Sequence, residues 1–187
     1  DVERSRGLGD VYKRQALENT RLRLLSELDA DAYAAGTKDE AVRRFAHLPE
    51  PDYTPESVRR MICDEVATGL SSGTLAVLAL ADAETDRFVG SVVLFDVCSE
   101  AAEVGFWIHP GARGEGHAHR GLELASRFAR NSGLRTLTAR TLPKNKASQH
   151  CLTTAGFRET GRGVGITPAG QREELFHYQR DLVTAAQ

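Results

Sequence analysis

The sequence predicts one α/β domain built on a mixed sheet, with antiparallel strands first and a parallel crossover later. Three observations carry this reading. Residues 74–80 and 88–95 are β-rich and flank the polar turn 82–86, which reads as an antiparallel hairpin. Residues 102–108 and 134–142 are strand-like and enclose a Gly-rich bend and a helix. A strand–helix–strand unit of that length implies parallel pairing. Residues 55–70 carry Val58, Met61, Ile62, Val66 and Leu70 as one apolar stripe at helical spacing.

The elements follow in order. The run TRLRLL from Thr20 alternates polar and apolar residues and predicts a first strand. Asp29 opens a helical stretch through Ala32, Tyr33 and Ala34, and a second helix spans 39–47. Pro49, Pro51 and Pro55 break the chain, and Thr54-Pro55 starts the striped helix with a capping Thr and a first-turn Pro. Ser71-Ser72-Gly73 ends it. The helix after the bend presents Ala118, Leu122, Ala125, Phe128 and Ala129 on one face, and Gly133 is its expected C-cap. Residues 146–155 form a short helix. Gly156-Phe157 leads into the last strands, of which 173–181 is the clearest.

Composition narrows the class. The chain has 187 residues, 41% hydrophobic and 27% charged, enough for one domain with a sizeable core. Its net charge of −2 and the lack of a basic stripe disfavour nucleic-acid binding. No apolar run approaches the ~18 residues that span a bilayer, and no secretory signal is present. Cys63, Cys98 and Cys151 lack metal-ligand spacing and read as reduced thiols of a cytoplasmic protein. Residues 1–15 are polar and aperiodic, and DVYKRQ resembles the conceptual translation of a transposon end. They are read as a non-native or disordered tail, leaving 16–187 as the domain.

The bend HPGARGEGHAHRG raises the functional question. Small residues where a strand turns into a helix leave backbone N–H groups bare, and bare N–H groups at a helix start bind anions. No Gly-Lys-Ser/Thr is present, so this is not a Walker A loop. A dinucleotide fingerprint fails too, because His119 stands where the third Gly belongs. What remains is R-x-x-G-x-A, formed by Arg113, Gly116 and Ala118, which suits a pyrophosphate.

That motif, following a strand with Glu103 and Trp107, resembles the acetyl-coenzyme A loop of the GNAT N-acetyltransferases. Asn145-Lys-Ala-Ser148 and Ala155-Gly156-Phe157 extend the resemblance toward the ribosomal-protein-alanine (RimJ/RimL-like) branch, as does Leu17-Glu-Asn-Thr20-Arg-Leu-Arg-Leu. The resemblance covers roughly 17–182. It implies the GNAT acyl-CoA N-acyltransferase fold, an acetyl-coenzyme A co-substrate, a primary amine acceptor and no metal. A homodimer is also expected from it.

The resemblance assigns roles. The pyrophosphate would rest on the backbone of Arg113, Gly114, Glu115, Gly116, His117, Ala118 and His119. His119 could also touch a phosphate. The pantetheine arm would pair with the backbone of Trp107 and Ile108. Glu103 is the candidate general base through a water, against the alternative of a solvated strand carboxylate. Glu100 is the lesser candidate. The Tyr that most members place four residues after Ser148 is Leu152 here. Ser148 is therefore the candidate donor to the departing thiolate, against a helix-start Ser capping its own backbone. Asn145 would orient the loop and touch the arm, or act as a plain N-cap. The acceptor pocket is expected from 37–70 and a loop at 161–172. Arg120, where the branch often has Glu, and Gly121, which weakens the helix by roughly 1 kcal/mol relative to Ala, depart from the pattern.

His117 and His119 lack a third ligand at suitable spacing, so no metal is expected. His150 and Cys151 are helical neighbours about 100° apart and cannot form a nucleophile pair. A non-catalytic acyl-CoA sensor would retain Arg113 to Ala118 and lose Glu103 and Ser148, yet both are present.

Overall fold

A computed structural model describes residues 15–46, 48–167 and 170–182. Most of the predicted tail, 1–14, and the end of the second predicted helix, His47, lie outside the described residues. The described chain forms one eight-stranded sheet in the order β1-β2-β3-β4-β5-β6-β8-β7. Its strands are β1 Ala16–Leu17, β2 Thr20–Leu24, β3 Ala76–Asp82, β4 Phe88–Cys98, β5 Ala101–Ile108, β6 Thr136–Thr141, β7 Arg158–Ile166 and β8 Arg172–Asp181. The helices are α1 Ala30–Gly36, α2 Glu40–Phe45, α3 Pro55–Met61, α4 Ala67–Ser72, α5 His117–Asn131 and α6 Lys146–Thr154. All pairings are antiparallel except β5 with β6, which α5 connects, as the crossover predicted.

Both faces of the sheet are covered. Leu78 and Leu80 of β3 face α5, with Leu122, Ala125 and Phe128. Val77 and Ala79 face the other way, toward Tyr33, Val58 and Trp107. A strand buried on both faces loses its polar alternation, which is why β3 reads as a continuous apolar run. Gly121 also finds its reason here. A Cβ on it would stand 2.6 Å from Leu80 Cδ1, so the glycine lets α5 lie close on β3.

Two details depart from expectation. The striped helix is interrupted: α3 passes through a π turn, Ile62–Val66, before α4. Its start is as predicted, with Thr54 Oγ1 accepting from the Ser57 amide at 3.1 Å and Pro55 in the first turn. The predicted loop 161–172 is mostly strand, because Gly161 to Ile166 belong to β7 and pair with β8. Gly161, Gly163 and Gly165 erase the apolar pattern that marks a strand. The last strand, β8, inserts between β6 and β7. Among the described residues no helix is long and apolar enough to cross a membrane.

Candidate active site

The site arises where β5 and β6 part. Their ladder has three pairs, Ala101 with Thr136, Ala102 with Leu137 and Glu103 with Thr138. Beyond it β5 runs on to Ile108 and β6 to Thr141 without pairing to each other. Two cavities open beside this wedge. One, of about 520 Å³, lies among Tyr33, Tyr53, Met61, Glu103, Arg140 and Trp107. The other, of about 1120 Å³, runs from the bend past Phe106 to Thr141, Asn145 and Ser148. Residues 104–107 and Arg140 belong to both walls, so the open part of β5 is the partition between them.

The bend is built to leave donors free. His109 Nδ1 accepts from the Gly111 amide at 3.2 Å and the Ala112 amide donates to the His109 carbonyl, closing a short 3₁₀ turn. Gly114 and Gly116 then take φ of +82° and +81°, a region that favours glycine. The amides of 113–119 donate to no acceptor among the described residues. The first amide of this turn to do so is that of Arg120, to the Gly116 carbonyl at 3.2 Å. A run of unused donors at the start of a fifteen-residue helix is an anion seat.

Side chains hold the bend in place. His117 is buried, with Nδ1 2.8 Å from Thr20 Oγ1 and Nε2 3.3 Å from Glu115 Oε2. Its ring anchors α5 to β2 and leaves its amide as the part facing the cleft. Arg120 bonds Glu18 and donates to the Glu115 carbonyl at 2.7 Å. The Arg113 guanidinium is spoken for: it pairs with Asp39 at 2.5 Å, which holds the Asp39 carboxyl below its ordinary range. Asp39 also caps α2 by accepting from the Val42 amide. Arg113 therefore ties α2 to the bend with its side chain, and what it offers an anion is its backbone amide.

Glu103 is no solvated strand carboxylate. Only 14% of its side chain is exposed, and Arg140 Nε donates to both its oxygens at 2.9 Å. Arg140 Nη1 donates in turn to the Ile166 carbonyl. Burial pushes the Glu103 carboxyl above its ordinary value, Arg140 pulls it back, and the net direction is up. Glu100, by contrast, pairs with Arg135 on the surface and lines neither cavity.

Asn145 Oδ1 accepts from the Ser148 amide at 3.1 Å, so Asn145 is the cap of α6. The Ser148 hydroxyl is not a cap; it has no bond to the described residues and lines the larger cleft. Trp107 is buried in an aromatic group, its ring 5.1 Å from Tyr33 and 5.7 Å from Phe88. Ile108 continues the open strand along the larger cleft. Among the described residues no group of His, Cys, Asp or Glu could hold a metal ion. Arg140, Thr141 and Asp39 escaped the sequence reading. The alternation of β6 could have separated Arg140 from Thr141, but only the parallel register brings Arg140 to Glu103.

An open strand beside a helix-start anion seat, with a buried carboxylate across the partition, defines a class of acyl-coenzyme A-dependent transferases. The sequence matches the acetyltransferase (GNAT) domain over residues 19–158, and the chain belongs to the GNAT acetyltransferase family, whose members use acetyl-coenzyme A. No curated protein matches the chain in sequence. Its fold is similar to that of ribosomal-protein-S5-alanine acetyltransferase from Vibrio fischeri, at 17% identity and TM-score 0.76, covering 89% of this chain and 95% of that one. It is similar to RimJ of Mycobacterium smegmatis in complex with CoA-disulfide, at 19% identity and TM-score 0.75, covering 87% and 81%. It also resembles spermidine N-acetyltransferase from Vibrio cholerae in complex with CoA and spermine, at 17% identity and TM-score 0.73, covering 88% and 96%.

Proposed function

We propose that the chain transfers an acetyl group from acetyl-coenzyme A to a primary amine, either a protein N-terminus or a small molecule. One observation carries this: two cavities share the stretch of β5 whose β6-facing edge is left open, and Glu103 opens into the smaller one. The residues fit the co-substrate, with free amides at 113–119 for a diphosphate and an open strand edge for an extended arm. Acetyl-coenzyme A supplies an activated acyl thioester. Glu103 removes a proton from the incoming ammonium through a water, and a free β5 N–H steadies the carbonyl oxygen as charge builds there. The Ser148 hydroxyl donates a hydrogen bond to the leaving sulfur. His119 and the amides of 113–118 hold the diphosphate, and the α6 turn that Asn145 caps borders the arm.

The smaller cavity suits a cationic amine with an apolar stem. Its wall includes Met61, Val66 and Trp107, and the exposed carboxylates of Glu50, Asp52, Asp64 and Glu65 stand near it against Arg60. This reading places the enzyme in the cytoplasm, where acetyl-coenzyme A is available and thiols stay reduced. Calorimetric titration with acetyl-coenzyme A tests it, with Gly116→Glu as control. A Cβ at 116 would stand 2.1 Å from Arg120 Nη1 in a backbone conformation that side chains avoid. Saturable binding lost in the control supports the seat, and thiol release can then screen Ala-starting peptides and polyamines. A wild-type protein that takes up no acetyl-coenzyme A defeats the assignment.

A further inference from the structure

Among the described residues three buried side-chain polar atoms lack any partner: Gln15 Oε1, His119 Nδ1 and Thr141 Oγ1. Two of the three, those of His119 and Thr141, belong to residues lining the larger cleft. Buried polar groups are almost always paired, because an unpaired one forfeits its hydrogen bonds to water. His119 lies in the first turn of α5, beside the free amides already assigned to the diphosphate. Thr141 has no role in that assignment. It is only 2% exposed and is the last residue of β6.

Its position in the strand is informative. Leu137, Ala139 and Thr141 alternate onto one face of β6, and the first two pack in the core beside α5. A third apolar residue would complete that row at no cost, and Val has nearly the shape of Thr. The chain instead carries a hydroxyl, which the protein leaves unsatisfied. The β5–β6 register, continued past its last pair, sets Thr141 opposite Phe106 across the wedge, and both residues line the larger cleft. The hydroxyl thus stands where the two strands no longer satisfy each other. Rotation about χ1, the one side-chain torsion that moves it, exchanges the hydroxyl with the methyl.

We propose that Thr141 is a cofactor-binding residue whose hydroxyl donates a hydrogen bond to the arm of coenzyme A inside the larger cleft. The proposal rests on the acetyl-coenzyme A reading above and adds to it a group that no motif marks. Ser148, from α6, and Thr141, from β6, then offer two hydroxyls to the same cleft.

The test compares wild type, Thr141→Val and Thr141→Ser by calorimetry with two probes, coenzyme A and adenosine 3′,5′-bisphosphate. The second probe carries the nucleotide end and lacks the arm. The expected result is a three- to tenfold loss of coenzyme A affinity in Thr141→Val, with bisphosphate binding unchanged and affinity restored in Thr141→Ser. The melting temperature of ligand-free Thr141→Val should not fall, since its hydroxyl bonds nothing in the protein. Unchanged coenzyme A affinity in Thr141→Val overturns the proposal. So does an equal loss for both probes, or a lowered melting temperature of the free variant, because either marks a structural role. If wild type binds coenzyme A, the coenzyme A seat of the reading above stands whatever the variants do. If wild type binds neither probe, both readings fall.

Discussion

Glu103 sits between opposed influences. Burial disfavours its charge and Arg140 favours it, with the net effect upward. A folded-state value above the unfolded one means the native protein holds that proton more tightly, so this group's contribution to stability falls as pH rises through the window just above the ordinary glutamate value. Activity runs the other way, since a base works only when ionised. The acid limb of kcat/KM is expected above the ordinary glutamate range, and Arg140→Met should move it higher by removing the group that lowers it. A limb that stays put in Arg140→Met would show that another residue is the base. Glu103→Gln should lower kcat by roughly 10²- to 10⁴-fold and leave coenzyme A affinity nearly intact. The pair Arg23–Asp29, at 2.7 Å, in which the carboxylate is buried and the guanidinium half-buried, makes a different point. Arg23→Met should destabilise the fold by about 2–4 kcal/mol in urea denaturation, because it strands a carboxylate that is nearly sealed from solvent. Glu103 was legible as a strand carboxylate ahead of the bend. Its partner was not, because residues 103 and 140 meet only through a parallel register that no local pattern encodes.

At the scale of elements, α6 separates two roles that its sequence merges. Asn145 caps the helix and Ser148 faces the cleft with its hydroxyl free. Asn145→Ala should cost about 1 kcal/mol of stability. Ser148→Ala should cost almost none, yet slow acetyl transfer by at least tenfold at saturating co-substrate. Equal stability losses in thermal denaturation would mean that Ser148 is structural. The long elements were readable because their patterns are periodic: the apolar face of α5, the hairpin of β3 and β4, and the Thr54 cap of α3 all stand where the residues place them. β7 was readable only in its first half. A strand was expected after Gly156-Phe157, but every second position from 161 to 165 is glycine and the residues there are mostly exposed, so no local pattern separates that half from a loop; only its pairing with β8 defines it. The π turn between α3 and α4 was hidden for a related reason, since an apolar stripe tolerates one shifted turn without losing its average period.

The whole molecule is divided by the same wedge that makes the site. Strands β1 to β5 form one block and β6, β8 and β7 the other, joined in the sheet by only three residue pairs and bridged by α5. Parallel pairing is the weaker kind, so this seam is where the sheet should open first. A ligand seated on the bend, on β5, on the end of β6 and on α6 touches both blocks, and it binds the closed sheet rather than the opened one. At about one hundred times its Kd such a ligand adds roughly 2.7 kcal/mol of stability. For a domain of this size that is a rise of about 5–10 °C in melting temperature. The distribution of that gain tests the argument. Hydrogen exchange should show new protection in β6 and in the β5 amides beyond Glu103, as well as at 113–119, when coenzyme A is added. Protection confined to 113–119 would mean that the nucleotide end alone is held and that the arm does not close the wedge.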